Sequence, residues 1–331
     1  MTPLPPLDLR RASSVEQALA WRLENPGSRL LGGGTDLIVN IRRGIGDDPG
    51  TLIDVNGIEE MTQIEGAGEG EGATLRIGAS VKLATLAAHP SVRDDYPVLA
   101  QAAGSIAGAT HRNMGTLGGN LCLDTRCIFY NQSEWWRASN DYCLKYGGTK
   151  CHVAPKSTTC FATFSGDLAP ALLVLDAVVE IAGHGGRRSM PLADLYTRDG
   201  RDYLSLGADE IVCAVTLHAT PGLRSGYDKI RVRRSIEFPL AGVAVALGRE
   251  GDKLTDLRVA ITGTNPWPVL IEDTGALCGG ALDKAAMARF DALVSRQVMA
   301  MKTTFTPGHY RRRAAGVLAR RLIRHLFDSG S

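Results

Sequence analysis

The stretch Ala109-Thr110-His111-Arg112-Asn113-Met114-Gly115-Thr116-Leu117-Gly118-Gly119-Asn120 decides the fold of this 331-residue chain. A second glycine loop, Leu31-Gly32-Gly33-Gly34-Thr35-Asp36, lies far upstream. The strand-like Arg29-Leu30-Leu31 enters this upstream loop, and a helix that Thr35 or Asp36 can cap leaves it. Strand, glycine turn and helix start form an arrangement that offers backbone N–H groups to a phosphate. A plain turn remains the alternative, since neither GxGxxG nor GxxxxGK[ST] is present.

Composition limits the classes of function. The net charge of +2 gives no reason to expect a nucleic acid or an anionic membrane as partner. The start Met1-Thr2-Pro3-Leu4 does not resemble a signal peptide, and no apolar run approaches the ~18 residues of a membrane span. We therefore expect a cytoplasmic protein without a membrane span, in which clustered cysteines are metal ligands or catalytic groups rather than disulfides.

Periodicity predicts an α+β fold. Short strands are expected around Leu52, Leu75 and Ile211, and Ser80 is expected to cap a helix that Pro90 stops. The apolar run 171–182 reads as a buried strand pair, and strands from Tyr227 to Thr262 give way to helices after Asp283. The arginines of the last helix are expected to form a solvated or subunit-facing rim; they are Arg311, Arg312, Arg313, Arg320, Arg321 and Arg324.

Several motifs carry a resemblance in chain order. They are Gly32-Gly33-Gly34-Thr35-Asp36, Thr116-Leu117-Gly118-Gly119-Asn120-Leu121-Cys122, Ala169-Pro170-Ala171-Leu172-Leu173, Glu210-Ile211-Val212 and the segment from Tyr310 to Leu318. Together they resemble the FAD-binding subunit of molybdenum hydroxylases, the xanthine dehydrogenase and carbon monoxide dehydrogenase group. The resemblance implies a two-subdomain FAD-binding fold, also seen in vanillyl-alcohol oxidase, over residues 1–221. A C-terminal α+β flavoprotein domain is implied over residues 222–331.

An insertion sets this chain apart from the family pattern. About forty extra residues, 123–164, follow the Gly-Gly-Asn turn and carry four cysteines. The insertion resembles the beta subunit of 4-hydroxybenzoyl-CoA reductase, which adds a [4Fe-4S] cluster. That implies a reductive dehydroxylation with a ferredoxin-like donor. The implied partners are a molybdenum-cofactor large subunit and a [2Fe-2S] small subunit, assembled as a dimer of heterotrimers.

The candidate site residues follow from these motifs, and none is a catalytic residue. The metal ligands are expected to be Cys127, Cys143, Cys151 and Cys160. Cys122 belongs to the scaffold, and Cys213 and Cys278 are expected to be structural. The implied FAD contacts are Leu31, Gly32, Gly33, Gly34, Thr35, Asp36, Leu37, Thr110, Asn113, Thr116, Gly119, Asn120, Asp124, Asp167, Ile211 and Lys229.

Alternatives remain open at this point. The chain lacks CxxC, so cysteine spacing alone does not separate iron–sulfur from zinc. In one alternative the chain is an ordinary hydroxylase flavin subunit that passes electrons to NAD or a quinone, with a zinc-bound or structural insertion. In another it is a non-catalytic, zinc-stabilised interaction module.

Overall fold

The fold is built on three β-sheets with helices packed against them. The structure is a computed structural model, and it describes residues 4–67 and 72–329. The first sheet is parallel, with strand order β1-β3-β2. Parallel neighbours need crossover connections, and two helices supply them. The elements are β1 Asp8–Arg11, α1 Val15–Glu24, β2 Arg29–Leu31, α2 Leu37–Arg42 and β3 Thr51–Asp54.

The second sheet is antiparallel, with strand order β4-β5-β8-β6-β7. Its strands are β4 Ile64–Ala67, β5 Thr74–Gly78, β6 Val178–Gly183, β7 Gly186–Pro191 and β8 Ile211–His218. The connection expected between β4 and β5 lies mostly outside the described residues. The helices between β5 and β6 are α3 Leu83–Ala88, α4 Pro90–Asp95, α5 Pro97–Ser105, α6 Ala109–Met114, α7 Leu117–Leu121, α8 Glu134–Ser139 and α9 Leu168–Leu173.

The third sheet is antiparallel, with strand order β12-β11-β10-β9. Its elements are β9 Arg224–Ile230, β10 Ala241–Glu250, β11 Lys253–Thr262 and β12 Val269–Leu270, followed by α10 Lys284–Gln297 and α11 Gly308–Asp328. Strand β10 is buried on both faces. Val243 and Val245 belong to the core with α10 and α11, while Ala244 and Ala246 face the core of the first two sheets. These small alanines let the sheet approach α5 and α9 closely.

Two sequence expectations are wrong, and a third, the helix stop at Pro90, is confirmed but incomplete. The run 171–182 contains the end of α9, a turn at the left-handed Asp176 and then β6, rather than a strand pair. The Ser80 hydroxyl donates to the Val55 carbonyl at 3.0 Å instead of capping α3. Pro90 follows the end of α3 and also opens α4, because proline suits the first position of a helix.

The arginine rim of α11 also needs one correction. Arg311 is fully buried, and its guanidinium donates to the carbonyls of Leu240, Met301 and Gly263 and to Thr303 Oγ1. It therefore holds the start of α11 to the loops around the third sheet. Burial lowers the pKa of Arg311 to about 10. Within the described ranges, no helix is both long and apolar enough to cross a membrane.

Candidate functional site

The two glycine loops pack directly on each other. A Cβ on Gly32 would lie 2.6 Å from Thr116 Oγ1, and one on Gly33 would lie 2.2 Å from the Met114 carbonyl oxygen. Gly34 has φ of +67°, where a side chain would be strained. The close contact between the loops thus requires glycine at positions 32 and 33. This requirement adds to the one expected from the close approach of a ligand. Sequence motifs nearly eighty residues apart form one continuous backbone surface.

Asn56 and Lys82 join the loops at their base. Asn56 Nδ2 donates to the Gly32 carbonyl at 2.8 Å, and its Oδ1 accepts from Lys82 Nζ. Lys82 Nζ also donates to the Met114 carbonyl at 3.2 Å. Burial lowers the pKa of Lys82. Sequence reasoning missed both residues, because neither lies in a glycine motif.

The second loop is tied to α9. Thr116 caps α7, since its Oγ1 accepts from the Gly119 amide at 3.2 Å. Asn120 Oδ1 accepts from the Leu168 amide at 2.9 Å, directly after Asp167. The Thr116 and Asn120 side chains therefore shape the loop, and Gly119 remains exposed at its surface.

The other predicted flavin contacts fall into three settings. Leu31 and Leu37 are half-buried beside the first loop, while Thr35, Thr110 and Asn113 are exposed. Ile211 is almost completely buried in β8, within the core of the second sheet. The structure does not bring Ile211 to the loop surface, and its flavin contact stays a prediction.

Asp167, Tyr227 and Lys229 form a buried polar group between the domains. Oδ1 of Asp167 accepts from Tyr227 Oη at 2.5 Å and from Lys229 Nζ at 2.8 Å. Burial raises the pKa of Asp167, and the lysine and tyrosine partly offset this. Burial also raises the pKa of Tyr227 well above its ordinary value. Asp167 and Lys229, each implied separately as a flavin contact, bond to each other here, and Tyr227 is an additional member of the group. Their contacts with the flavin stay predictions.

The four insertion cysteines line one hollow. Cys127, Cys143, Cys151 and Cys160 are all buried, and the hollow that they line encloses only about 10 Å³. Burial raises the pKa of the Cys127 thiol to about 11 and that of Cys160 to about 12. Cys122 lies outside this wall, half-buried against the main core, with a pKa raised to about 12 by burial.

The thiols do not form a site for one ion. In residues 4–67 and 72–329, no three His, Cys, Asp or Glu side chains come together as ligands of a single metal. The hollow is instead surrounded by larger groups. Phe129 stacks on His152 with ring centres 5.2 Å apart and contacts Trp136, while Trp135 is 76% exposed. Trp136 thus packs within the insertion, and Trp135 faces outward.

Lys145 closes one wall of the hollow. Its almost completely buried Nζ donates to Asp124 Oδ1 at 2.9 Å, to Thr125 Oγ1 at 2.8 Å and to the Gly200 carbonyl at 2.8 Å. It also lies 4.9 Å from the ring centre of Tyr130. Asp124, expected to contact the flavin ribose or ring, is engaged by this lysine, and its flavin contact remains a prediction.

Two arginines fasten the insertion to α2. Arg126 donates to Asp36 Oδ1 and, at 3.1 Å, to Asn40 Oδ1. Arg137 is 1% exposed and donates to the Gly44 carbonyl just after α2. Burial lowers the pKa of Arg126 to about 10. Sequence reasoning missed both arginines; the position of Arg126 directly before Cys127 was the available signal.

The comparisons with known proteins agree over nearly the whole chain. Residues 5–218 match the family described as FAD binding domain in molybdopterin dehydrogenase, and residues 226–326 match the CO dehydrogenase flavoprotein C-terminal domain. The chain is 36% identical over 318 residues to the aldehyde oxidoreductase FAD-binding subunit PaoB of Escherichia coli, which covers 93% of this chain and 96% of that protein. It is 25% identical over 320 residues to the carbon monoxide dehydrogenase medium chain of Afipia carboxidovorans, covering 96% and 95% of the two chains.

A solved structure has the same fold. The Cu,Mo-CO dehydrogenase crystal structure superposes with a TM-score of 0.79 at 23% identity, covering 98% of this chain and 99% of that one. At this identity the superposition shows the fold alone. With the family matches, it confirms the predicted FAD-binding fold and its C-terminal flavoprotein domain.

Proposed function

The chain belongs to the FAD-binding medium subunits of the xanthine dehydrogenase and carbon monoxide dehydrogenase family of molybdenum hydroxylases, and from this premise we propose that it also holds a [4Fe-4S] cluster. The ligands are Cys127, Cys143, Cys151 and Cys160. The observation that carries the proposal is that these four buried thiols line one hollow. Four thiolates are the usual ligand set of such a cluster.

Four thiolates suit either an iron–sulfur cluster or zinc. The flavin context favours the redox-active cluster over redox-silent zinc. The thiols must lose their protons on binding, so the raised pKa values of Cys127 and Cys160 oppose proton loss until the metal compensates the charge.

The two glycine loops are suited to bind FAD. The backbone of Gly32 to Asp36 and the surface around Gly119 supply N–H donors for the two phosphates of FAD. Lys229 and Asp167 lie where the two domains meet and are paired with each other. The resemblance to the family implies that this lysine lies near the flavin ring, where a positive charge would stabilise the reduced flavin. Bound FAD exchanges one or two electrons and the cluster exchanges one, so the subunit connects one-electron carriers to two-electron chemistry.

The substrate reaction belongs to partner subunits. By its family, this chain works with a molybdenum-cofactor large subunit and a [2Fe-2S] small subunit. The 36% identity to an aldehyde oxidoreductase subunit favours aldehyde oxidation, in which water supplies the oxygen of the carboxylic acid and two electrons and two protons are released. Those electrons pass outward through the carriers of this complex.

A second candidate is reductive dehydroxylation of 4-hydroxybenzoyl-CoA. The four-cysteine insertion favours it, because such an insertion resembles that enzyme's beta subunit. In this reaction two electrons and two protons enter, water leaves, and a ferredoxin-like donor supplies the electrons. The two candidates share the same cofactors in this chain and differ in the direction of electron flow.

Metal analysis of the anaerobically purified complex tests the cluster. We expect about four iron atoms, acid-labile sulfide and one FAD per copy of this chain beyond the iron of the small subunit. Zinc in place of iron would overturn the proposal. Bleaching of the flavin by an aldehyde supports the first reaction. Turnover of 4-hydroxybenzoyl-CoA with a reduced viologen, and no bleaching by aldehydes, would establish the second.

A further inference from the structure

We propose that Arg126 couples the cluster site to the flavin site, so that cluster assembly tightens FAD binding. This inference rests on the proposed ligation by the four insertion cysteines. Arg126 is itself a ligand of neither group; it contacts the side chain of Asp36 in the flavin loop and acts as a positioning residue between the two sites.

The backbone of Arg126 belongs to the cluster segment. Arg126 directly precedes Cys127, and its amide and carbonyl both pair with Thr163 at 2.7 Å, three residues after Cys160. The Cys127 amide donates to Asn131 Oδ1 at 2.9 Å. Cys127 therefore lies directly beside an antiparallel bridge, and Cys160 lies three residues before the other strand of it. A cluster bound to both fixes the bridge and the backbone from which Arg126 projects.

The side chain of Arg126 belongs to the flavin loop. Its guanidinium donates to Asp36 Oδ1 and to Asn40 Oδ1, and Asn40 Nδ2 donates to Asp36 Oδ2 at 2.9 Å. Each of these three side chains thus contacts the other two. Asp36 is the last residue of the first glycine loop and directly precedes α2. Holding its side chain fixes the end of the loop whose amides face FAD.

The environment makes this connection stronger than a surface ion pair. The side chains of Arg126 and Asp36 are 16% and 27% exposed, and Phe238 covers the guanidinium with its ring centre 4.9 Å away. Solvent screens such a pair less than an exposed one. The Nε atom of Arg126 is buried without a hydrogen-bond partner among the described residues. An arginine so constrained transmits a shift of its backbone to Asp36.

The coupling follows from ordering. Without the cluster, the segment around Cys127 samples more conformations, and FAD binding must restrict Arg126 as well as the loop. With the cluster bound, the conformations of Arg126 are already restricted, so FAD binding has less ordering to do. The effect is reciprocal, because a coupling free energy between two binding sites acts equally in both directions.

FAD titrations of the intact complex test this. The flavin-depleted complex is titrated with FAD before and after removal of the insertion cluster by the Cys151→Ser substitution, with the small-subunit clusters retained. We expect the Kd for FAD to rise about fivefold or more on cluster loss in the otherwise unchanged chain. In an Arg126→Met background the same cluster loss changes the Kd less than about twofold, because the link is already broken.

Matched variants keep the test decisive. Arg42→Met makes the same chemical change at an exposed position of α2. In that background, cluster loss raises the Kd for FAD as much as in the unchanged chain. Arg126→Lys keeps a cation but lacks the planar fork for two partners, so cluster loss raises the Kd for FAD by an intermediate factor. This variant replaces Arg126→Met in the test if Arg126→Met does not fold. An unchanged Kd on cluster loss, with iron present beforehand, overturns the coupling alone. A complex isolated without insertion iron overturns the cluster proposal instead.

Discussion

Lys229 Nζ lies 2.8 Å from Asp167 Oδ1, and both side chains are almost completely buried although they belong to different domains. The lysine is on β9 of the C-terminal domain, and the aspartate precedes α9 of the FAD-binding domain. A buried ion pair contributes little net stability against an apolar replacement, but removal of one member is costly. The interface between the domains therefore depends on both charges being present.

Lys229→Met is expected to lower the free energy of unfolding by about 3–5 kcal/mol, because it leaves the buried Asp167 carboxyl without its cationic partner. Urea unfolding of the purified chain measures this. The double variant Lys229→Met, Asp167→Asn recovers part of the loss. Lys253→Met, at an exposed position of β11, changes stability by less than about 0.5 kcal/mol. Equal effects of the single and double variants would contradict the pairing.

Cys143→Ser is expected to remove the cluster absorbance and EPR signal, because a hydroxyl is a poor replacement for a thiolate ligand. FAD is still present in the variant, although cluster loss raises its Kd. The control is Cys122→Ser, since Cys122 lies outside the hollow. That variant keeps its iron. Loss of iron in the Cys122 variant, or full iron in the Cys143 variant, would show a different ligand set.

Gly33→Ala is expected to lower the FAD content of the purified protein. Its Cβ would lie 2.2 Å from the Met114 carbonyl oxygen and 2.5 Å from the Gly115 Cα, so the two loops must separate. Such overpacking costs about 1–3 kcal/mol. Flavin-to-protein ratios and thermal unfolding measure the change. Gly27→Ala meets its nearest atom at 3.9 Å and serves as the control, with normal FAD content.

Stability is expected to fall in alkaline solution, in part through Cys213. Burial raises the pKa of this thiol from 9.0 to about 11. Between these pH values the folded state keeps a proton that the unfolded state loses, so the free energy of unfolding decreases as pH rises. The slope from this group is at most about 1.4 kcal/mol per pH unit.

Cys213→Ala tests the assignment by a shallower slope in unfolding titrations between about pH 9 and pH 11. Cys278→Ala, at a half-buried position, changes the slope less. Buried tyrosines, whose pKa values are also raised, contribute equally to both variants. A slope identical to that of the unchanged chain in the Cys213 variant would contradict the assignment.

Sequence patterns predicted the glycine loops and most strands, because those features depend on the local spacing of residues. They failed on 171–182, since an apolar run without polar alternation fits a buried helix as well as a strand. They also failed on Arg311, whose carbonyl partners lie in loops distant in the sequence. In the site, the gathering of the four cysteines followed from the insertion, but the contact of Arg126 with Asp36 did not. That contact joins residues 90 positions apart and leaves no periodic trace.

The bridge between Arg126 and Thr163 has a consequence for the architecture of the family. The insertion leaves and rejoins the scaffold at one point, and Thr303 of the C-terminal domain braces that neck through the Ile128 amide and the Thr163 hydroxyl. Because the entropy of closing a loop grows only slowly with its length, a segment with a closed neck can lengthen at about 0.6 kcal/mol per doubling. A segment of this kind can thus be added to, or removed from, such a flavoprotein without rebuilding the sheets beneath it.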